Sequence, residues 1–129
     1  MTFYFDENFS EHLAYALHCL EKTGGKISIE STVDCVGRGA TDEQVVKHII
    51  DNDGVLFTKD NDFRRVKLLR ELIQDSTIGL VYYTSGSQDY WETVRTIINI
   101  WPKLRKDILK RNGKFIIKLQ ANGKYQFDT

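Results

Sequence analysis

Six carboxylates in three separated segments carry the clearest chemical signal in this sequence: Asp6-Glu7, Asp42-Glu43, and Asp60 with Asp62. Two carboxylates about 4 Å apart repel by roughly 4 kcal/mol at an effective dielectric of 20. A group that converges must therefore take up protons or be neutralised by a cation. Without nearby His or Cys, these donors suit a hard ion, Mg²⁺ or Mn²⁺, which keeps several waters and leaves room for a substrate phosphate. Such a centre can activate water and stabilise the leaving oxygen of a phosphodiester. Taken singly, most of the six have ordinary explanations. Asp42 would sit in a first helical turn, where the dipole favours an acid in any protein. Asp60 and Asp62 could cap a helix, and Glu7 could be a solvated loop acid. Asp6 directly follows an aromatic strand and is harder to explain in this way.

The elements that would bring the three segments together are legible in the hydrophobic pattern. Phe3-Tyr4-Phe5 reads as a short strand, and Asn8 with Glu11 has capping-box spacing ahead of a helix faced by Leu13, Leu17 and Leu20. Ile27, Ile29 and Val33 suggest one or two short strands. Thr41 and Gln44 form a second capping box, before the apolar stripe Val45, Val46, Ile49 and Ile50. Val55-Leu56-Phe57 is the continuous apolar run of a strand covered on both sides. One helix follows Asp60, with Phe63, Val66, Leu69, Leu72 and Ile73 inward, and Ile78–Tyr83 is the next buried strand. Asp89 and Glu92 start a long helix that Pro102 either kinks or divides. Phe115–Leu119 and Tyr125–Phe127 around Asn122-Gly123 spell a hairpin, whose turn is expected to hold both central residues at positive φ. Alternating strands and helices imply one α/β domain, a mainly parallel central sheet with helices on both faces and a C-terminal β-hairpin. In such sheets ligands bind at the carboxyl ends of the strands, which is where the acids fall.

Three segments carry a family resemblance: Phe5-Asp6-Glu7-Asn8, Thr41-Asp42-Glu43, and Leu56-Phe57-Thr58-Lys59-Asp60-Asn61-Asp62-Phe63. Together they resemble the short PIN-like proteins, relatives of VapC-type toxins, over roughly residues 2–85. The third segment, 18 residues beyond Asp42, is the most specific of them. The resemblance implies a PIN-like fold and Mg²⁺- or Mn²⁺-dependent cleavage of RNA, with a toxin role in a toxin–antitoxin pair. It implies Asp6, Asp42, Asp60 and Asp62 as catalytic, metal-binding acids, joined by Glu7 and Glu43. An antitoxin protein and a second copy of the chain are the protein partners it suggests. Residues 89–128, a basic helix and hairpin, read as a C-terminal extension of a single domain over 1–129.

Charge adds a second line of reasoning. The 129 residues carry 18 basic and 18 acidic side chains, a net charge of zero. The sum hides a division, because residues 1–62 hold 12 acids and 5 bases and residues 63–129 hold 6 acids and 13 bases. A basic half beside an acidic site suits a polyanionic substrate. Lys59, Arg64, Arg65 and Arg38 are the bases expected to meet RNA, with Lys67, Arg70 and the lysines beyond Pro102 further out. Two facing acidic and basic surfaces explain the same division without nucleic acid. No apolar run is long enough for a membrane span, and the N-terminus lacks the lysines of a signal peptide. Cys19 and Cys35, with no ligand-like spacing or companion histidine, read as ordinary thiols of a reducing, cytoplasmic compartment. His12, His18 and His48 read as surface or boundary residues.

Two rival readings remain beside a ribonuclease. A catalytically inactive PIN-like protein would use the same acids to bind protein or RNA without chemistry. A phosphoacceptor receiver domain would need a phosphorylatable Asp ending a central strand and a Lys ending a later one, and neither Asp34 nor Tyr83-Thr84-Ser85 supplies them.

Overall fold

The apolar runs become strands buried on both sides, and the periodic segments become the helices that cover them. The computed structural model describes residues 1–84, 86–111 and 114–127. Ser85, in the loop expected after the Ile78 strand, and Asp128, at the end of the expected 89–128 extension, lie outside the described residues. The order is β1 (Thr2–Phe5), α1 (Glu11–Glu21), β2 (Ser28–Ser31), α2 (Thr32–Cys35), α3 (Asp42–Asp51), β3 (Val55–Thr58), α4 (Asp62–Arg65), α5 (Lys67–Gln74), β4 (Gly79–Thr84), α6 (Tyr90–Lys110), β5 (Phe115–Gln120) and β6 (Tyr125–Phe127).

The six strands form one sheet in the order β2-β1-β3-β4-β5-β6, parallel except for the final β5–β6 pair. Alternate residues of each central strand enter different cores. Phe3, Phe5, Val55, Phe57, Val81, Ile117 and Leu119 pack under α1 and α6, through Leu13, Leu17, Ile97, Trp101 and Leu104. Tyr4, Leu56 and Leu80 pack on the opposite face against Val46 and Ile49 of α3 and Leu69 and Ile73 of α5. The chain leaves β1 for β2 on one side and returns to β3 on the other. The strand order thus reverses between β1 and β3, opening a crevice at their carboxyl ends.

Local chemistry explains the departures from the sequence reading. Helix α1 is capped by Ser10, whose Oγ accepts from the His12 amide at 3.1 Å, and Asn8 serves Asp6 instead. Its buried face is Leu13, Ala14, Leu17 and Glu21, with Leu20 exposed. Val33 lies in α2, leaving one short strand there. The helix after Asp60 is two: Val66 adopts φ −71°, ψ 121° and separates α4 from α5, with its own side chain exposed. Pro102 lies within α6, which runs on without dividing. Asn122-Gly123 does turn the hairpin, but only Gly123 has positive φ, at 86°. The Gly123 amide donates to the Gln120 carbonyl at 2.9 Å, as in a three-residue loop closed by a left-handed glycine. The C-terminal part is integral to the sheet, because α6 is the crossover that returns β5 parallel to β4. Strand β5 ends in Gln120, so a receiver domain's lysine is absent from that end. Cys35 ends α2 close to His48 of α3, so the expectation that it lacks a companion histidine does not hold.

Candidate metal centre

The crevice between β1 and β3 gathers acids from all three segments. Asp42 enters at the first turn of α3, held there by a complete capping box: Thr41 Oγ1 accepts from the Gln44 amide at 3.2 Å, and Gln44 Oε1 accepts from the Thr41 amide at 2.9 Å. Asp60 and Asp62 follow β3. The Asp62 amide donates to Asp60 Oδ1 at 2.9 Å, an aspartate turn that fixes the Asp60 carboxylate relative to the backbone. Oxygens of Asp42, Asp60 and Asp62 lie within 4.8 Å of one another. Burial, then the charges of Asp60, Asp62 and Glu7, push the Asp42 carboxyl above its usual range.

Asp6 lies deeper in the same cleft, a space of about 100 Å³ that Glu7, Asn8, Thr32, Asp42 and Asp60 also line. The residue is only 5% exposed, and its carboxylate belongs to a relay. The Asp60 amide donates to Thr58 Oγ1 at 2.9 Å, and the Thr58 hydroxyl donates to Asp6 Oδ2. The Asn8 amide donates to Asp6 Oδ1 at 3.0 Å. Desolvation raises the Asp6 pKa to about 6, against the lowering effect of these donors. Asp6 thus stands behind Asp60 and fixes its backbone, while the closest triad is Asp42, Asp60 and Asp62. Thr58 and Asn8, absent from the sequence-based set, are the relay's other members; their signal was adjacency to Asp60 and Asp6.

Glu7 is exposed at the rim, and its charge reaches Asp42. Glu43 points elsewhere, pairing with Lys47 one turn along α3 at 2.9 Å. Of the bases, Arg65 reaches Asp62 at 2.8 Å and so borders the triad. Arg38 pairs with Glu11 at 2.8 Å. Arg64 lies over the Tyr82 ring, 5.2 Å from its centroid. Lys59 is partly buried over Phe9, 5.2 Å from the ring centroid, and desolvation lowers its pKa while the Asp6 charge opposes that.

The donor set is all oxygen and strongly anionic, with Arg65 the cation paired to the triad among the described residues. Three carboxylates within 4.8 Å of one another, two of which push the Asp42 carboxyl up, fit a hard divalent ion, which would supply a compensating positive charge. No helix is long and apolar enough to cross a membrane among the described residues.

A family model described as a PIN-like domain covers residues 1–85, which include β1 through β4 and every acid of the cleft. No curated protein and no solved structure matches the chain.

Proposed function

The chain belongs to the PIN-like domain family, whose members are generally nucleases, and on that premise we propose that it is a Mg²⁺- or Mn²⁺-dependent endoribonuclease. The observation carrying this reading is the meeting of Asp42, Asp60 and Asp62 within 4.8 Å at the switch point of the sheet. Those three residues would hold the ion. When bound, the ion supplies a water of lowered pKa and charge neutralisation at the leaving oxygen.

The remaining chemistry belongs to the protein. Asp6, through Thr58, holds the Asp60 backbone so that its carboxylate faces Asp42. Glu7 stands at the mouth of the cleft, with Glu43 outside it on α3. Arg64 and Arg65 follow the acids on α4, where they can receive the phosphates flanking the scissile bond. Arg38 and Lys59 extend that contact, Lys59 with less freedom because it is partly buried. Phosphate contacts of this kind give affinity without sequence preference and weaken with salt.

A toxin acting on cytoplasmic RNA and restrained by an antitoxin is the physiological role we assign, with self-association a further use of the divided charge. Incubation of the chain with single-stranded RNA, with and without Mn²⁺, tests the activity. Metal-dependent cleavage that falls at least about 100-fold in Asp42→Asn is the expected result. Intact RNA after long incubation, with a melting temperature unmoved by Mn²⁺, would instead establish a non-catalytic binding module.

A further inference from the structure

Away from the acid cleft, three different donor types meet on the α3 side of the sheet's β2 edge. Glu30 belongs to the edge strand β2, Cys35 ends α2, and His48 lies on α3. One ligand atom from each, a carboxylate oxygen, the thiol sulfur and an imidazole nitrogen, lie within 4.8 Å of one another. We propose that Glu30, Cys35 and His48 form a second metal site, suited to a borderline-soft divalent ion of the Zn²⁺ class.

Donor chemistry separates this site from the cleft. Thiolate and imidazole favour Zn²⁺ or Co²⁺ over Mg²⁺, whereas an all-carboxylate set favours the hard ions. Tetrahedral Zn²⁺ with bonds of about 2.0 to 2.3 Å needs donor separations of about 3.3 to 3.8 Å. The three donors already lie within 4.8 Å, and Glu30, which is exposed, is free to rotate toward that range. The imidazole is already supported, since the Tyr4 ring packs edge-on against His48 with centroids 5.5 Å apart. Glu30 is exposed, and Cys35 and His48 are partly buried, so solvent reaches the site from the Glu30 side. In the metal-free chain burial and the Glu30 charge push the Cys35 thiol to about 11. Binding forms the metal–sulfur bond as the thiol proton passes to solvent, so affinity rises with pH. The ion would tie the edge strand and α2 to α3.

Co²⁺ titration of the full chain reads the site directly. One equivalent is expected to produce a thiolate-to-Co²⁺ charge-transfer band. That band is lost in Cys35→Ser, weakened at least about 10-fold in affinity in His48→Gln and Glu30→Gln, and retained in Cys19→Ser and Asp42→Asn. Zn²⁺ in excess is expected to raise the melting temperature of the wild type by about 5 °C, and not that of Cys35→Ser. Circular dichroism confirms that the variants fold before metal is added, and His48→Gln serves if Cys35→Ser does not. Absence of the band in wild type at excess Co²⁺, or a band that follows Cys19 or Asp42 instead, would overturn the assignment.

Discussion

Asp6 and Glu21 are buried to the same degree, each 5% exposed, yet the two ends of the sheet treat them in opposite ways. Glu21, at the end of α1, receives a two-pronged contact from Arg105 of α6: Nε to Oε2 at 2.6 Å and Nη2 to Oε1 at 2.9 Å. The Trp101 indole N–H donates to the same Oε2 at 2.8 Å. Its charge is matched inside the protein, and the result joins two helices. Asp6 receives neutral donors, with Lys59 a cation that forms no ion pair with it among the described residues, and its neighbours at the carboxyl edge are further acids. One end of the fold settles its buried charge; the other leaves it open to something supplied from outside.

The largest effect expected from breaking this contrast is on chemistry. Asp60→Asn keeps the acceptor used by the Asp62 amide but removes a charge from the triad. RNA cleavage should fall about 10³-fold, some 4 kcal/mol in barrier, with urea denaturation unchanged or improved in metal-free buffer. At the settled end the loss is in stability. Glu21→Ala leaves Arg105 and the Trp101 N–H unpartnered and should cost about 3 kcal/mol, the lower end for a broken buried pair because Arg105 keeps some contact with water. The metal-induced shift in melting temperature should survive that substitution.

A pH series sharpens the comparison further. Asp6 has a folded pKa of about 6 against an ordinary value of 3.8, so the folded chain binds the extra proton between those limits. Its contribution is therefore greatest below pH 4 and is lost as pH rises through 6, by about 2 to 3 kcal/mol. Chemical denaturation of wild type and Asp6→Asn across pH 4–7 should show this slope in the first and not in the second. The smallest effect belongs to the exposed Arg38–Glu11 pair, where Arg38→Ala should change stability by less than about 0.5 kcal/mol. Any loss of RNA affinity in that variant can then be read as a binding effect.

The strands and most helices were legible because each carries its own signal. Val55–Phe57 is apolar without interruption, and Thr41 with Gln44 spells its capping box in four residues. The carboxylate site was legible in outline for a topological reason: acids that follow parallel strands share one edge. What sequence could not resolve was their depth. Asp6 and Asp60 both read as metal-binding acids until Thr58 is seen to stand between them. Glu43 was separated from Asp42 only by the helix, which turns it toward Lys47. Val66 breaks a helix without glycine or proline, so no local residue announces it. Glu30, Cys35 and His48 escaped notice because their spacings of 5 and 13 residues match no ligand motif. Their meeting depends on how α2 and α3 fold back over β2.

The hydrogen bond from the Asp6 amide to the Phe57 carbonyl, 3.1 Å long, closes the β1–β3 pair immediately below the cleft. It joins positions 51 residues apart in sequence, inside a sheet with a further strand on each side of the pair. Loop closure over that distance must precede assembly of the relay, and no local fluctuation undoes it without parting β1 from β3. Exchange of that amide with solvent deuterium should therefore proceed only through global opening. The floor of the cleft is thus expected to be as durable as the whole fold, while Glu7, exposed at its rim, can adapt to what enters.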